Sequence, residues 1–237
     1  MRKRLLLIIS VFVFCIFSAT YVVYAYQKNL PTSANYPDVV AKVAGVPISG
    51  KDLAMQVELE MNKYEKIKQP NDYSFYETVA LKHLITNILL DKEAEKKGLS
   101  VSKEEVLKYI NDTIKVIDSV NNNDPNKIEL MKEIKSKGFS SIKDYMNDPT
   151  YVEVAKKILT RAKLRNLIYN TAPQPTEEDI DNYIEKNHLE DAKQDLKIRE
   201  SIRKLLFQQS KVNTWKKYIE EIIQNNECEV LVPINVK

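Results

Sequence analysis

Ala80-Leu-Lys-His-Leu-Ile-Thr-Asn-Ile-Leu-Leu-Asp-Lys-Glu-Ala-Glu-Lys-Lys-Gly98, continued by Leu-Ser-Val-Ser102-Lys-Glu-Glu105-Val106, carries the clearest structural signal in the chain. Leu81, Leu84, Ile85, Ile88 and Leu89 recur at spacings of three and four, which makes a wide apolar stripe on a helix. Gly98 stands where a left-handed residue ends such a helix. Ser102 and Glu105 have the spacing of a capping box that starts the next one. The stretch therefore predicts a hydrophobic helix with defined ends, packed against from several sides. By itself it names no function.

Composition narrows the classes around it. The 237 residues are 29% charged, with both signs interspersed and a formal net charge of +3. Nucleic-acid binding asks for a clustered basic face, so no nucleic-acid partner is expected. Gly45, Gly50, Gly98 and Gly138 are the only glycines, and none follows Gly138. Glycine-rich phosphate loops and tight hairpin arrays are thereby disfavoured. The cysteines are Cys15, inside an apolar run, and Cys228 near the other end, which excludes a disulfide scaffold.

Arg2-Lys3-Arg4 precede an uncharged run from Leu5 to Ala25, with Val23-Tyr24-Ala25 as a small-residue cleavage site. The run is long enough to span a bilayer, and it also has the order of parts of a signal peptide. Residues 1–26 are accordingly read as a membrane anchor through Leu5–Ala25 or a cleaved signal. The positive cluster before the run places the body outside the cytoplasm in either case, at the cell membrane or secreted. Residues 27–37, with Pro31 and Pro37, read as a linker, and 38–237 as one helical domain.

Within that domain Val39–Val43 and Val46–Ile48 flank Ala44-Gly45 as a small hairpin. Ser49 caps a helix bearing Leu53, Val57, Met61 and Tyr64, which ends before Pro70. After the central helix, Val106, Ile110, Ile114 and Ile117 mark another, broken by Asn121–Pro125. Short helices are expected at Lys127–Lys137 and Ile142–Asn147, then a long one at Thr150–Asn170, stopped by Pro173-Gln-Pro175. Thr176 caps the next, with Asp179 in its first turn. From Asp191 to Asn226, Ile202, Leu205, Leu206, Val212, Trp215, Ile219, Ile222 and Ile223 form one helical stripe. Cys228–Val236 is β-type, and a lone strand needs a partner, so the two ends of the body are expected to pair. The fold class is mainly α, closed by a small sheet.

Laid out in this order, the chain resembles the SurA/PrsA group of extracytoplasmic chaperones, whose core is related to the trigger-factor peptide-binding domain. The residues that carry the resemblance are Val40–Ile48, Leu84–Val106 with Glu93-Ala94 and Lys97-Gly98, Thr176–Tyr183, and the closing Ile202–Val232. It implies a multi-helix chaperone core that binds unfolded segments of exported polypeptides, without cofactor. Many members insert a parvulin-type prolyl isomerase of about ninety residues after the Thr-Glu-Glu helix; here only Asn187–Leu196 lies there. Parvulins also need glycine-rich strands and paired histidines, whereas this chain has only His83 and His188. The resemblance thus implies the chaperone core and not the isomerase.

No catalytic or metal-binding constellation stands out. His83 has no second ligand at usable spacing and reads as a helix-face residue; His188 falls in a loop. Cys228 reads as a small apolar strand residue. Glu104-Glu105, Glu177-Glu178 and Glu220-Glu221 are neighbours on helices and point apart. The basic run Lys156-Lys157, Arg161, Lys163, Arg165 reads as a solvated face, with anionic lipid or wall polymer as the alternative. Thirteen tyrosines and five methionines suit adaptable peptide contacts. Met61, Tyr64, Tyr145, Met146 and Tyr151 are the candidate peptide-binding residues, with core packing as their competing role. The leading expectation is a holdase. The alternative is an assembly partner that binds one exported protein, or itself as a homodimer, through the closing helix.

Overall fold

The computed structural model describes residues 36–66, 72–189 and 194–234. The anchor-or-signal segment and nearly all of the linker lie outside the described residues. Among the described residues, no helix is long and apolar enough to cross a membrane.

Those residues form β1 (Val39–Val43), β2 (Val46–Ser49), α1 (Gly50–Lys66), α2 (Tyr73–Lys96), α3 (Lys103–Ser119) and α4 (Pro125–Ser136). They continue with α5 (Ile142–Met146), α6 (Pro149–Tyr169), α7 (Glu177–Lys186), α8 (Leu196–Gln224) and β3 (Cys228–Val230). The protein is mainly α with one small antiparallel sheet of order β2-β1-β3. The chain divides into two compact units, Met1–Arg161 with Glu227–Lys237, and Ala162–Asn226.

The first unit starts from the hairpin. Ala44 (φ 46°) and Gly45 (φ 81°) both adopt left-handed backbone, as a two-residue turn of the favoured hand requires. β3 adds to the free side of β1 with Ala41 opposite Val230 and Val43 opposite Cys228, so the two ends of the body do pair. The strand stops at Val230 rather than running to Val236; one further bond, Leu231 N–H to Val40 O at 2.8 Å, follows it before Pro233, which has no N–H to give. Val40, Ala41, Val43 and Ile48 of the sheet, Leu53 and Val57 of α1, and Ala80, Leu81, Ile85 and Leu89 of α2 are all buried.

The central helix ends as its sequence dictates. Gly98 (φ 65°) sends its N–H to Glu95 O at 2.8 Å, and Leu99 N–H reaches Ala94 O at 2.9 Å, a Schellman closure. The capping box of α3 is complete: Ser102 Oγ accepts from Glu105 N–H at 3.2 Å, and Glu105 Oε2 from Ser102 N–H at 2.8 Å. At Gly50 a side chain has no room, because a Cβ there would lie 2.3 Å from Pro37 O and 2.6 Å from Tyr36 Cβ. A second core gathers α3 to α6 around Val106, Ile110, Ile134, Tyr145, Met146 and Tyr151. On α3 the position expected for Ile114 is only partly buried, and Thr113 lies inside instead.

In the second unit α7 and α8 pack through Ile180, Ile184 and Ile202, with Tyr183 and Leu206 beside them. The α7 capping box uses Thr176 and Asp179, whose mutual bonds measure 2.7 and 3.1 Å. Arg199 bridges Glu177 at 2.7 Å and Asp181 at 2.6 Å, and Arg203 also pairs with Glu177. α8 starts at Leu196 rather than near Asp191, because Asp195 caps it by accepting from Lys197 and Ile198 N–H. Nor is its stripe uniformly packed: Ile202 and Ile222 are buried, whereas Leu205 and Val212 face solvent.

Candidate functional site

The apolar pattern of α1 does not continue straight to its end. Leu53 and Val57 are buried, but the next inward position is Glu60, only 3% exposed, while Met61 turns out to 40% exposure. A buried carboxylate must be compensated. Glu60 Oε1 takes His83 Nδ1 of α2 at 2.7 Å and Gln56 Nε2 at 2.9 Å, and Lys63 Nζ lies 3.4 Å from Oε2. Burial works to raise this carboxyl, but the hydrogen bond and charge of His83, with Lys63 and Gln56, outweigh it. The carboxyl is held below its usual range. His83 is thus a pinning residue between α1 and α2, and its partner Glu60 is not legible in the sequence because a glutamate at an inward position breaks the apolar pattern.

Beyond this pair the α1–α2 hairpin carries an aromatic cluster. Tyr64 meets Phe75 edge-on at 5.0 Å between ring centres, and Tyr76 lies 5.8 Å from Tyr64 and 5.6 Å from Phe75. Tyr76 is buried, Tyr64 and Phe75 are half-buried, and Tyr73 and Met61 are exposed. Asp72 fixes this end by capping α2 through Phe75 N–H at 2.8 Å. Tyr36 Oη donates to Glu77 Oε1 at 2.6 Å and lies 3.4 Å from Tyr73 Oη, which holds the strand entry against α2. Burial and the Glu77 carboxylate push the Tyr36 phenol well above its usual range. The result is an apolar and aromatic rim carried by two helices, with a surface chemistry open to apolar side chains. Tyr73 and Phe75 both follow the capping Asp72, so α2 begins among aromatics, at Tyr73 itself, where the sequence reads as the end of a loop over Gln69–Tyr73.

Of the five residues singled out from sequence, the structure brings Met61 and Tyr64 to this rim and takes the other three elsewhere. Tyr145, Met146 and Tyr151 are at most 1% exposed. The Tyr145 ring is enclosed by Phe139 at 5.1 Å, Tyr151 at 5.4 Å and Lys137 Nζ at 5.2 Å. α5 is a single short segment wedged against α3 and α4, so its large side chains fill the interior and offer a client no surface. Burial also lowers Lys137 despite its Glu133 partner at 2.6 Å, and pushes the Tyr151 phenol up.

Cys228 is half-buried on β3, and burial pushes its thiol up, away from nucleophilic reactivity. Among the described residues no group of three His, Cys, Asp or Glu side chains is arranged to hold a metal. Of the basic α6 run, Arg161 is engaged by Asp91 through two bonds of 2.5 and 2.7 Å.

Residues 1–126 match the family model of the SurA-like N-terminal domain, more than half of the chain. The matched span contains the hairpin, α1 to α3 and the whole rim, including Val40–Ile48 and Leu84–Val106. The Thr176–Tyr183 and Ile202–Val232 stretches lie beyond it. No curated protein matches the chain.

Proposed function

This chain belongs to the SurA-like N-terminal domain family and is chaperone-related, and from that premise we propose that it is a non-enzymatic holdase for exported polypeptides. The reading rests on one observation above all. Inside the family-matched span, the α1–α2 hairpin presents Met61, Tyr64, Tyr73 and Phe75 as an apolar rim instead of a closed core. Such a surface binds unfolded segments weakly and with little sequence preference, needing neither nucleotide nor metal. The basic cluster before Leu5–Ala25 supports work outside the cytoplasm, tethered or released. Prolyl isomerisation is disfavoured, because residues 187–195 alone separate α7 from α8, where an isomerase would be inserted.

Light scattering of an unrelated unfolded protein, with and without the full-length chain, tests the proposal beside a proline-limited refolding assay. Suppressed aggregation with unchanged refolding rate is expected, and Met61→Asp with Tyr73→Ser should weaken the suppression. Accelerated refolding, or no suppression at severalfold excess, overturns it. The latter outcome favours a dedicated partner of one exported protein, a reading encouraged by the apolar residues that α8 exposes.

A further inference from the structure

α8 turns Ile198, Leu205 and Val212 to solvent, at 41%, 43% and 57% exposure. Seven residues are just short of two turns, so the three form one slowly drifting stripe, with steps of about 10.5 Å. Lys197, Lys204 and Lys211 each precede one of them and make a parallel basic row on one flank. Glu200 is the only carboxylate between Leu196 and Val212. It is already taken by Arg203 at 2.6 Å, with Lys204 at 3.6 Å. Arg199 and Arg203 face the other way, into Glu177 and Asp181 of α7. Lys211 stands over the Phe207 ring at 4.2 Å, which holds one charge of the row in place.

Charge decides what fits this face. A second copy laid antiparallel sets the lysine row against itself, and a parallel copy sets it against Gln209 and Lys216. An interfacial membrane helix needs a broad apolar face, whereas Ser201, Gln208 and Gln209 interrupt this one, leaving one large apolar group per two turns. We propose that the outer face of α8 docks client segments whose apolar side chains are flanked by carboxylates. This deepens the holdase reading and rests on it: α8 supplies a charge preference in addition to the apolar and aromatic contacts of the α1–α2 rim.

Two labelled peptides of identical apolar pattern, one with glutamate and one with lysine at the flanking positions, are titrated against the full-length chain by fluorescence anisotropy. The glutamate peptide is expected to bind about tenfold tighter, with the advantage shrinking as salt rises. K197E/K204E/K211E should reverse the preference, and L205Q/V212Q should weaken both peptides, with circular dichroism unchanged. Equal binding of the two peptides, or an unchanged preference in the lysine variant, overturns the inference. So does binding of phosphatidylglycerol vesicles that the lysine variant loses while peptide binding persists, or a dimer in solution that L205Q/V212Q dissolves. Retained aggregation suppression without peptide preference removes the α8 inference alone; loss of suppression as well removes the holdase reading with it.

Discussion

Glu60 shows how one side chain sets a pH dependence. Its carboxyl is held below the ordinary range, so the folded state binds fewer protons than the unfolded one. The stability this contributes is complete above the unfolded carboxylate value, about 4.3, and is lost as pH falls through the lower folded value. His83→Ala leaves burial unopposed by its main partner and moves that loss to higher pH, at a cost of about 1–3 kcal/mol near neutrality. Urea midpoints between roughly pH 3 and 7 read this directly, and superimposable acid limbs for the two proteins would count against it. Thr113 is the opposite case. Its hydroxyl is fully buried and has no hydrogen-bond partner among the described residues. Thr113→Val keeps the shape and removes the orphan group, so it should be neutral or stabilise by up to about 1 kcal/mol, measured as a shift in Tm.

Between elements, packing outweighs exposed charge. α7 and α8 are joined both by the Ile180, Ile184 and Ile202 cluster and by the Arg199 and Arg203 bridges. The carboxylates of those bridges are well exposed, and such pairs are screened by salt and weakened by side-chain entropy. Ile180→Ala, at a fully buried position, is expected to cost about 2–4 kcal/mol. Arg199→Ala should lower Tm far less, and that small difference should vanish in molar salt. Thermal melts of both variants at low and high salt check the ordering. An arginine effect that matches the isoleucine effect and survives salt would reverse it.

For the whole chain, the decisive long-range event is the return of β3 to β1. Val43 pairs Cys228 across most of the sequence, Ala44 N–H reaches Glu227 O at 2.8 Å, and Lys92 Nζ of α2 bonds Ala44 O at 2.8 Å. Truncation after Asn226 removes that edge and leaves β1 with unpaired backbone groups on one side. The truncated chain is expected to unfold at lower denaturant and to lose amide-exchange protection at Lys42 and Ala44, whose N–H groups face β3, while α3 keeps its own. Unchanged protection at β1 would show that β3 contributes nothing to closure.

What could be read from the chain alone were the features whose causes are local. Gly98 must be left-handed, Ser102 must meet Glu105, and Thr176 must meet Asp179, because each bond spans only a few residues. Alternating β-type runs at the two ends likewise required a partner, and each other was the only one on offer. Where an apolar residue points was not legible, since a stripe on a helix shows which residues share a face and not what covers that face. Met61 and Tyr64 lie at the hairpin rim, while Tyr145, Met146 and Tyr151, of the same residue types, close the core of α3 to α6. Glu60 sits in the interior with His83, twenty-three positions away, as its main partner beside the local Gln56 and Lys63. The local bonds are written in neighbouring residues; burial is settled by surfaces that meet only when the chain is folded.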